Sequence, residues 1–151
     1  MKHRILGRTG IEVSEIGMGT EHLLDKDAQI VADTIAAAIN GGINYFDCHP
    51  GHDSQEDSID YVGYQKLGKA LQGARDKLTI TYLAPALLSP TDTEPRFASY
   101  LRAMDTDHTD VFIIQFCDKV KDFEHVIGVE GFFAVNQNIL NKAHTKHINI
   151  K

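Results

Sequence analysis

The chain has 151 residues, 42% hydrophobic and 24% charged, which is one ordinary domain with enough apolar material for a packed core. Its 21 acidic and 15 basic residues give a net charge of -6, and the basic residues are scattered, so no field exists to gather the phosphates of a nucleic acid. Two cysteines, Cys48 and Cys117, are too few for a disulfide framework and fit a reducing compartment. The opening MKHRILGRTG has no apolar core of the kind a signal peptide needs, and no apolar run is long enough to span a bilayer. A soluble, cytoplasmic protein without membrane partners is expected.

Taken in chain order, HRILGRTGIEV places two strand-like runs around Gly7-Arg8-Thr9-Gly10, a hairpin signal. EIGMGT follows as a strand that ends in glycines. The stretch DKDAQIVADTIAAAINGG reads as a helix capped by Asp25 or Asp27 and stopped by Gly41-Gly42. Ile30, Val31, Thr34, Ile35, Ala38 and Ile39 form its apolar face. Residues 43–47, INYFD, read as a buried strand, and an acidic loop containing two histidines follows. YQKLGKALQGA is a short helix with Leu67, Ala70 and Leu71 on one side, and DKLTITYL is a strand. SPTDTEP is a turn-and-cap segment with Pro95 placed for a first helical turn, after which Phe97, Tyr100, Leu101 and Met104 recur at helical spacing. DVFIIQF (110–116) is apolar on both faces, as in a covered parallel sheet. A helix is expected over about residues 131–144, with Phe133, Gln137, Leu140 and Ala143 on one side, and HINIK starts a last strand.

A hairpin followed by about four βα units and a fifth strand specifies an α/β fold with parallel strands and right-handed crossovers. The alternation does not separate an open sheet from part of a barrel. No linker, low-complexity tract or repeat divides the chain, so residues 1–151 read as a single domain.

The loop FDCHPGHDSQED packs Cys48, His49, His52 and several carboxylates into twelve positions. Those residue types suit a transition metal, but H-x-x-H on a loop is not a specific signature and no second ligand pair with standard spacing follows. A solvated loop is the favoured reading and no metal ligand is assigned. Cys48 and Cys117 read first as small buried hydrophobes and second as thiols activated by His49 or His52. His108, His144 and His147 read as structural or surface residues.

LGRTGIEVSEIGMGT, AAAINGGINYFD, LGKALQGARDKLTI and LRAMDTDHTDVFIIQ stand in the order seen in aldo-keto reductases. The resemblance runs from residue 3 to the last residue. It is strongest to the branch whose longer members carry a C-terminal iron–sulfur region, of which no cysteine cluster is present here. The resemblance implies a partial (β/α)8 TIM barrel closed below by the hairpin, acting on a small carbonyl substrate with NADPH. A barrel of this kind takes about 250 residues, so a truncated domain is expected, without the half that holds most of the cofactor.

In the family an aspartate, a tyrosine, a lysine and a histidine at strand ends carry the chemistry. The tyrosine donates the proton, the lysine and histidine tune it, and the aspartate holds the lysine. Asp47 matches the aspartate. The tyrosine position falls on His52 by simple offset, or on Tyr61 across an insertion. Leu83 stands at the lysine position, with Tyr82 beside it, and Gln115 at the histidine position. Gly19 and Thr20 match positions near the nicotinamide. Leucine cannot tune a tyrosine by charge, and glutamine can hydrogen-bond a carbonyl oxygen but cannot become a cation. An oxidoreductase that is impaired or inactive alone is therefore expected. The alternatives are a non-catalytic remnant serving as an oligomeric or interaction module, and a metal- or thiol-dependent site at residues 47–53. Ile43, Tyr45, Thr79, Thr81, Val111 and Ile113 are expected to face the barrel centre. With that face uncovered and the sheet edges open, a homo-oligomer or a complementing chain is expected.

Overall fold

The computed structural model describes residues 1–48, 59–85, 90–128 and 147–150. Strands β1 (His3–Ile5) and β2 (Glu12–Ser14) form the hairpin. Five further strands form one parallel sheet in the order β3 (Met18–Gly19), β4 (Tyr45–Cys48), β5 (Thr79–Pro85), β6 (Val111–Gln115) and β7 (His147–Ile150). Spatial order equals sequence order, so every connection steps to the adjacent strand in the same direction, as in a barrel wall. Helices α1 (Ala28–Asn40), α2 (Ile59–Leu71), α3 (Pro90–Ala103) and α4 (Val120–Ile127) lie between the strands in sequence.

Side-chain alternation in β4, β5 and β6 divides the molecule into two clusters. Phe46, Cys48, Ile80, Tyr82, Ala84, Phe112 and Ile114 pack toward Val31 and Ile35 of α1, Leu67 and Leu71 of α2, and Phe97 and Tyr100 of α3. Tyr82 is the hub, its ring centroid 4.7 Å from Phe97, 4.9 Å from Tyr100 and 5.1 Å from Phe112. Residues of the opposite parity point to the inner side. There Leu83, Val111 and Ile113 cluster with Leu6 and Ile11 of the hairpin. Thr79, Thr81, Val111 and Ile113 are buried, so the inner face at the bottom is closed within the single chain. Ile43 departs from expectation, because it precedes β4 and packs against the helix-side cluster.

Asn44 ties the hairpin to the sheet. Its Oδ1 accepts the Ser14 N–H at 2.6 Å, its Nδ2 donates to the Glu12 carbonyl at 2.9 Å, and its own N–H donates to Ser14 Oγ. Gly17 makes room beside this junction, since a Cβ there would lie 2.7 Å from Cδ1 of Tyr45.

Several boundaries differ from the sequence expectation for identifiable reasons. Asp27 takes the N-cap position of α1, but its side chain makes no capping bond, and Asp25 pairs with Lys26 at 2.9 Å instead. Ile30 is exposed, which narrows the apolar face of α1 to Val31 and Ile35 at its centre. At the helix end Gly42, with φ +89°, takes the left-handed conformation that a side chain resists. Helix α2 begins ahead of the expected Tyr64 and runs into a 3-10 turn over Gln72–Lys77. In α3 the first-turn proline is Pro90, and Pro95 lies inside the helix. Helix α4 was not expected. It spans only eight residues and buries Asp122 and Val126, while Val120, Phe123 and Ile127 are exposed, so its apolar periodicity points away from the core. The expected helix at 131–144 lies outside the described residues. The final strand forms as expected and pairs with β6.

Two features fix the lower end of the sheet and the helix layer. The Arg75 guanidinium donates to Asp110 Oδ2 at 2.9 Å and to the His108 carbonyl at 3.1 Å, while the same Asp110 oxygen accepts the Ile80 N–H at 3.0 Å. Gly68 lets α2 approach the end of α3, where a Cβ would lie 2.7 Å from Met104 Cα. Removing one partner of a part-buried ion pair strands the other, so Arg75→Ala should lower unfolding stability by about 3 kcal/mol in urea titration. Gly68→Ala should cost about 1–3 kcal/mol despite alanine's better helix propensity, because its methyl meets backbone.

Candidate functional site

Active sites of parallel barrels lie at the C-terminal ends of the strands. Here those ends carry Gly19 on β3 and Thr20 after it, Asp47 and Cys48 on β4, Leu83 on β5, and Gln115 and Phe116 at the end of β6.

Asp47 is on the inner parity of β4 and half-buried. Its Cα pairs with Gly19 on one side and Thr81 on the other. Its backbone carbonyl accepts the Thr20 N–H at 3.1 Å and the Thr20 hydroxyl at 3.2 Å. Its side-chain Oδ1 accepts the Thr81 hydroxyl at 2.8 Å. Thr20 is fully buried with its hydroxyl committed to that carbonyl, whereas Gly19 is exposed and a Cβ on it would meet nothing within 4 Å. The two residues thus differ: Gly19 borders open space and Thr20 supports the strand ends from beneath.

Leu83 occupies the next inner position of β5 above Thr81 and is buried with Val111 and Ile113, so it brings no polar atom to Asp47. Tyr82 beside it points to the helix side, inside the aromatic cluster. Gln115 is on the inner parity of β6 and largely buried. Thr81 pairs with Val111, so Gln115 lies four residues beyond Asp47's register level, about 13 Å along the strand. Strand tilt in a barrel takes up part of that stagger. Tyr61 is half-buried in the first turn of α2, partly packed against the helix-side cluster. His52, His49 and the rest of the acidic loop lie outside the described residues.

Phe116 follows Gln115 with φ +66°, a left-handed backbone that costs an aromatic residue roughly 1–2 kcal/mol. Its side chain is 61% exposed, so an aromatic ring stands at the rim of the strand ends.

The sequence marked Thr81 only as an inward residue. The signal for its role was the alternation in LTITY, which sets hydroxyls on one face of β5 and Ile80 and Tyr82 on the other. Tyr45 lies two residues before Asp47 on the same face of β4. Its hydroxyl is pushed up to about 12 by burial first and by the nearby Asp47 charge second. It is a poor proton donor at neutral pH.

Cys48 is fully buried on the helix side, and burial pushes its thiol up to about 12 against the favourable Thr20 and Tyr100 hydroxyls. A thiol held that way is not a nucleophile at neutral pH. Burial also raises Cys117, with Asp122 and Asp118 adding to it. Among the described residues no three His, Cys, Asp or Glu side chains gather to hold a metal ion.

Burial likewise raises Tyr100 and Tyr82. Groups whose folded values lie above their unfolded ones favour the folded state while protonated, and that advantage is lost as pH climbs from the unfolded to the folded value. Stability in urea should therefore hold to about pH 8 and fall steadily between about pH 9 and 12. In the native chain at about pH 8, Cys48 should resist alkylation that goes to completion once the chain is unfolded.

No family model matches the chain, and no curated protein matches it significantly in sequence. Solved structures do match. An aldo-keto reductase from Bacillus halodurans in its holo form is similar over 100% of this chain and 50% of its own, at 20% identity and a TM-score of 0.74. A thermostable aldo-keto reductase in complex with the inhibitor epalrestat is similar over 99% of this chain and 53% of its own, at 21% identity and a TM-score of 0.75. An aldo-keto reductase from Klebsiella pneumoniae in complex with NADPH is similar over 92% of this chain and 45% of its own, at 16% identity and a TM-score of 0.70. The chain thus spans about half the length of these solved structures. Its fold is that of a partial (β/α)8 barrel of the aldo-keto reductase type.

Proposed function

We propose that this chain is an aldo-keto-reductase-like oxidoreductase domain whose NADPH-dependent carbonyl reduction is impaired or absent in the chain alone. The observation that carries this reading is the placement of Asp47. It sits on the inner face at the end of a parallel strand, in a chain similar along its whole length to aldo-keto reductases, while Leu83 stands at the lysine position. The Klebsiella pneumoniae structure in complex with NADPH supports the cofactor assignment.

The exposed Gly19, with open space where a side chain would stand, fits a flat ring laid against the strand end, and Thr20 holds that end in place. NADPH, when bound, supplies a hydride to the carbonyl carbon. The proton for the resulting oxygen comes from Tyr61 or His52, and Gln115 binds the carbonyl oxygen through its amide N–H groups. Asp47 is the fixed negative charge of the site. Without a lysine beside it, the donor loses the cation that would stabilise its deprotonated form, which is the reason to expect a weak enzyme.

A second reading is favoured by a separate observation. Among the described residues neither β3 nor β7 has a strand on its outer edge, and open edges invite pairing with a second copy or a complementing chain. On that reading the domain is an oligomeric, cytoplasmic interaction module. The metal alternative rests on the acidic loop, and the buried Cys48 weighs against the thiol one.

The test is an NADPH fluorescence titration of the purified chain, with solution mass measured on the same sample and benzaldehyde as probe substrate. We expect saturation only well above the micromolar range and slow aldehyde-dependent oxidation of NADPH. Absence of binding at millimolar NADPH in every oligomeric form rules out the reductase reading. Micromolar binding with rapid turnover rules out impairment.

A further inference from the structure

We propose that Thr81 is the positioning residue of this site: its buried hydroxyl fixes the Asp47 carboxylate and leaves the second carboxylate oxygen as acceptor for a donor group of the bound ligand. The role of Thr81 stands on geometry, and only its kinetic consequence rests on the reductase reading.

The direction of the hydrogen bonds follows from what each atom can do. The Cys48 backbone N–H can only donate, and it reaches Thr81 Oγ1 at 3.2 Å. The threonine oxygen is therefore the acceptor in that contact, and its single proton is left for Asp47 Oδ1 at 2.8 Å. Thr81 is fully buried, so water does not compete for either bond. Its branched Cβ restricts χ1, and its own carbonyl accepts the Tyr100 hydroxyl at 3.2 Å, which anchors this stretch of β5 to α3. Asp47 is held at its other end as well, because Thr20 occupies its backbone carbonyl twice.

Among the described residues no other partner competes for the carboxylate. Leu83 above it is apolar, and among the described residues the Thr81 hydroxyl alone bonds the Asp47 carboxylate. A half-buried carboxylate with one oxygen engaged keeps acceptor capacity on the other. A ligand that presents a hydroxyl or amide N–H there would satisfy it.

The decisive measurement is NMR on the full chain with 13C-labelled aspartate, the Asp47 carboxyl signal being assigned with Asp47→Asn. In the native chain we expect a slowly exchanging Thr81 hydroxyl proton. Thr81→Val should move the Asp47 carboxyl resonance, and Thr81→Ser should restore it. A Thr81 hydroxyl in fast exchange with water overturns the proposal without any variant having to fold. An Asp47 resonance unchanged in Thr81→Val, or unrestored by Thr81→Ser, also overturns it. If NADPH-dependent turnover is present, Thr81→Val should lower kcat roughly 10- to 100-fold with little change in KM, and Thr81→Ser should recover most of it. If the native chain binds no NADPH, the reductase reading fails by itself, and the carboxyl and hydroxyl signals still decide the role of Thr81.

Discussion

The register of β5 between β4 and β6 is the constraint on which the rest depends. A slip by one residue would send Thr79, Thr81 and Leu83 into the helix layer and Ile80 and Tyr82 to the inner side, exchanging the two clusters. Asp110 holds this register at the lower end. One of its carboxylate oxygens takes both the Arg75 guanidinium and the Ile80 N–H, so the turn before β5 and the turn before β6 are fastened at one point. The Thr109 hydroxyl and the Asp110 N–H both return to the Ile80 carbonyl, which closes the same junction from the other direction. The polar network lies at the bottom of the sheet and the candidate site at the top. The polar network and the candidate site thus occupy opposite strand ends, the division expected of a barrel wall.

Much of this architecture was legible in the sequence because its signals are local and strong. The strands of residues 43–47, 76–83 and 110–116 announced themselves by apolar runs between turn residues, and their inner and outer faces followed from a period of two. Ile43 broke the pattern because extended pairing starts only at Tyr45. Helix α4 was not legible for the opposite reason. Val120, Phe123 and Ile127 do recur at helical spacing, but over only two turns and on the exposed side, while an aspartate and one valine are what the helix buries. The capping contact, Asp122 Oδ2 accepting the Lys119 N–H at 3.1 Å, is what starts it.

The candidate site was legible in part. Asp47 could be located from the motif NYFD, and Leu83 and Gln115 from the strands that carry them. The hydrogen-bond partner of the Asp47 carboxylate could not. The Thr81–Asp47 bond joins residues 34 apart, and it exists because the sheet places them side by side. Spacing along the chain contains nothing of that pairing. The same holds for Thr20, whose buried hydroxyl serves the backbone of Asp47. A carboxylate held by one neutral hydroxyl group is a different electrostatic object from one facing an ammonium, since its charge is oriented but not neutralised.

Gly17 and the ring of Tyr45 have a consequence for how this sequence can vary. The volume that a side chain at position 17 would need is already filled by Cδ1 of that ring. The two positions are therefore a single steric unit shared between β3's approach and β4. A larger residue at 17 requires the half-buried Tyr45 ring to turn aside or to give way to a smaller side chain. Covariation between these two columns would report a packing constraint between β4 and the chain before β3, and carries no information on the role of Asp47 two residues on.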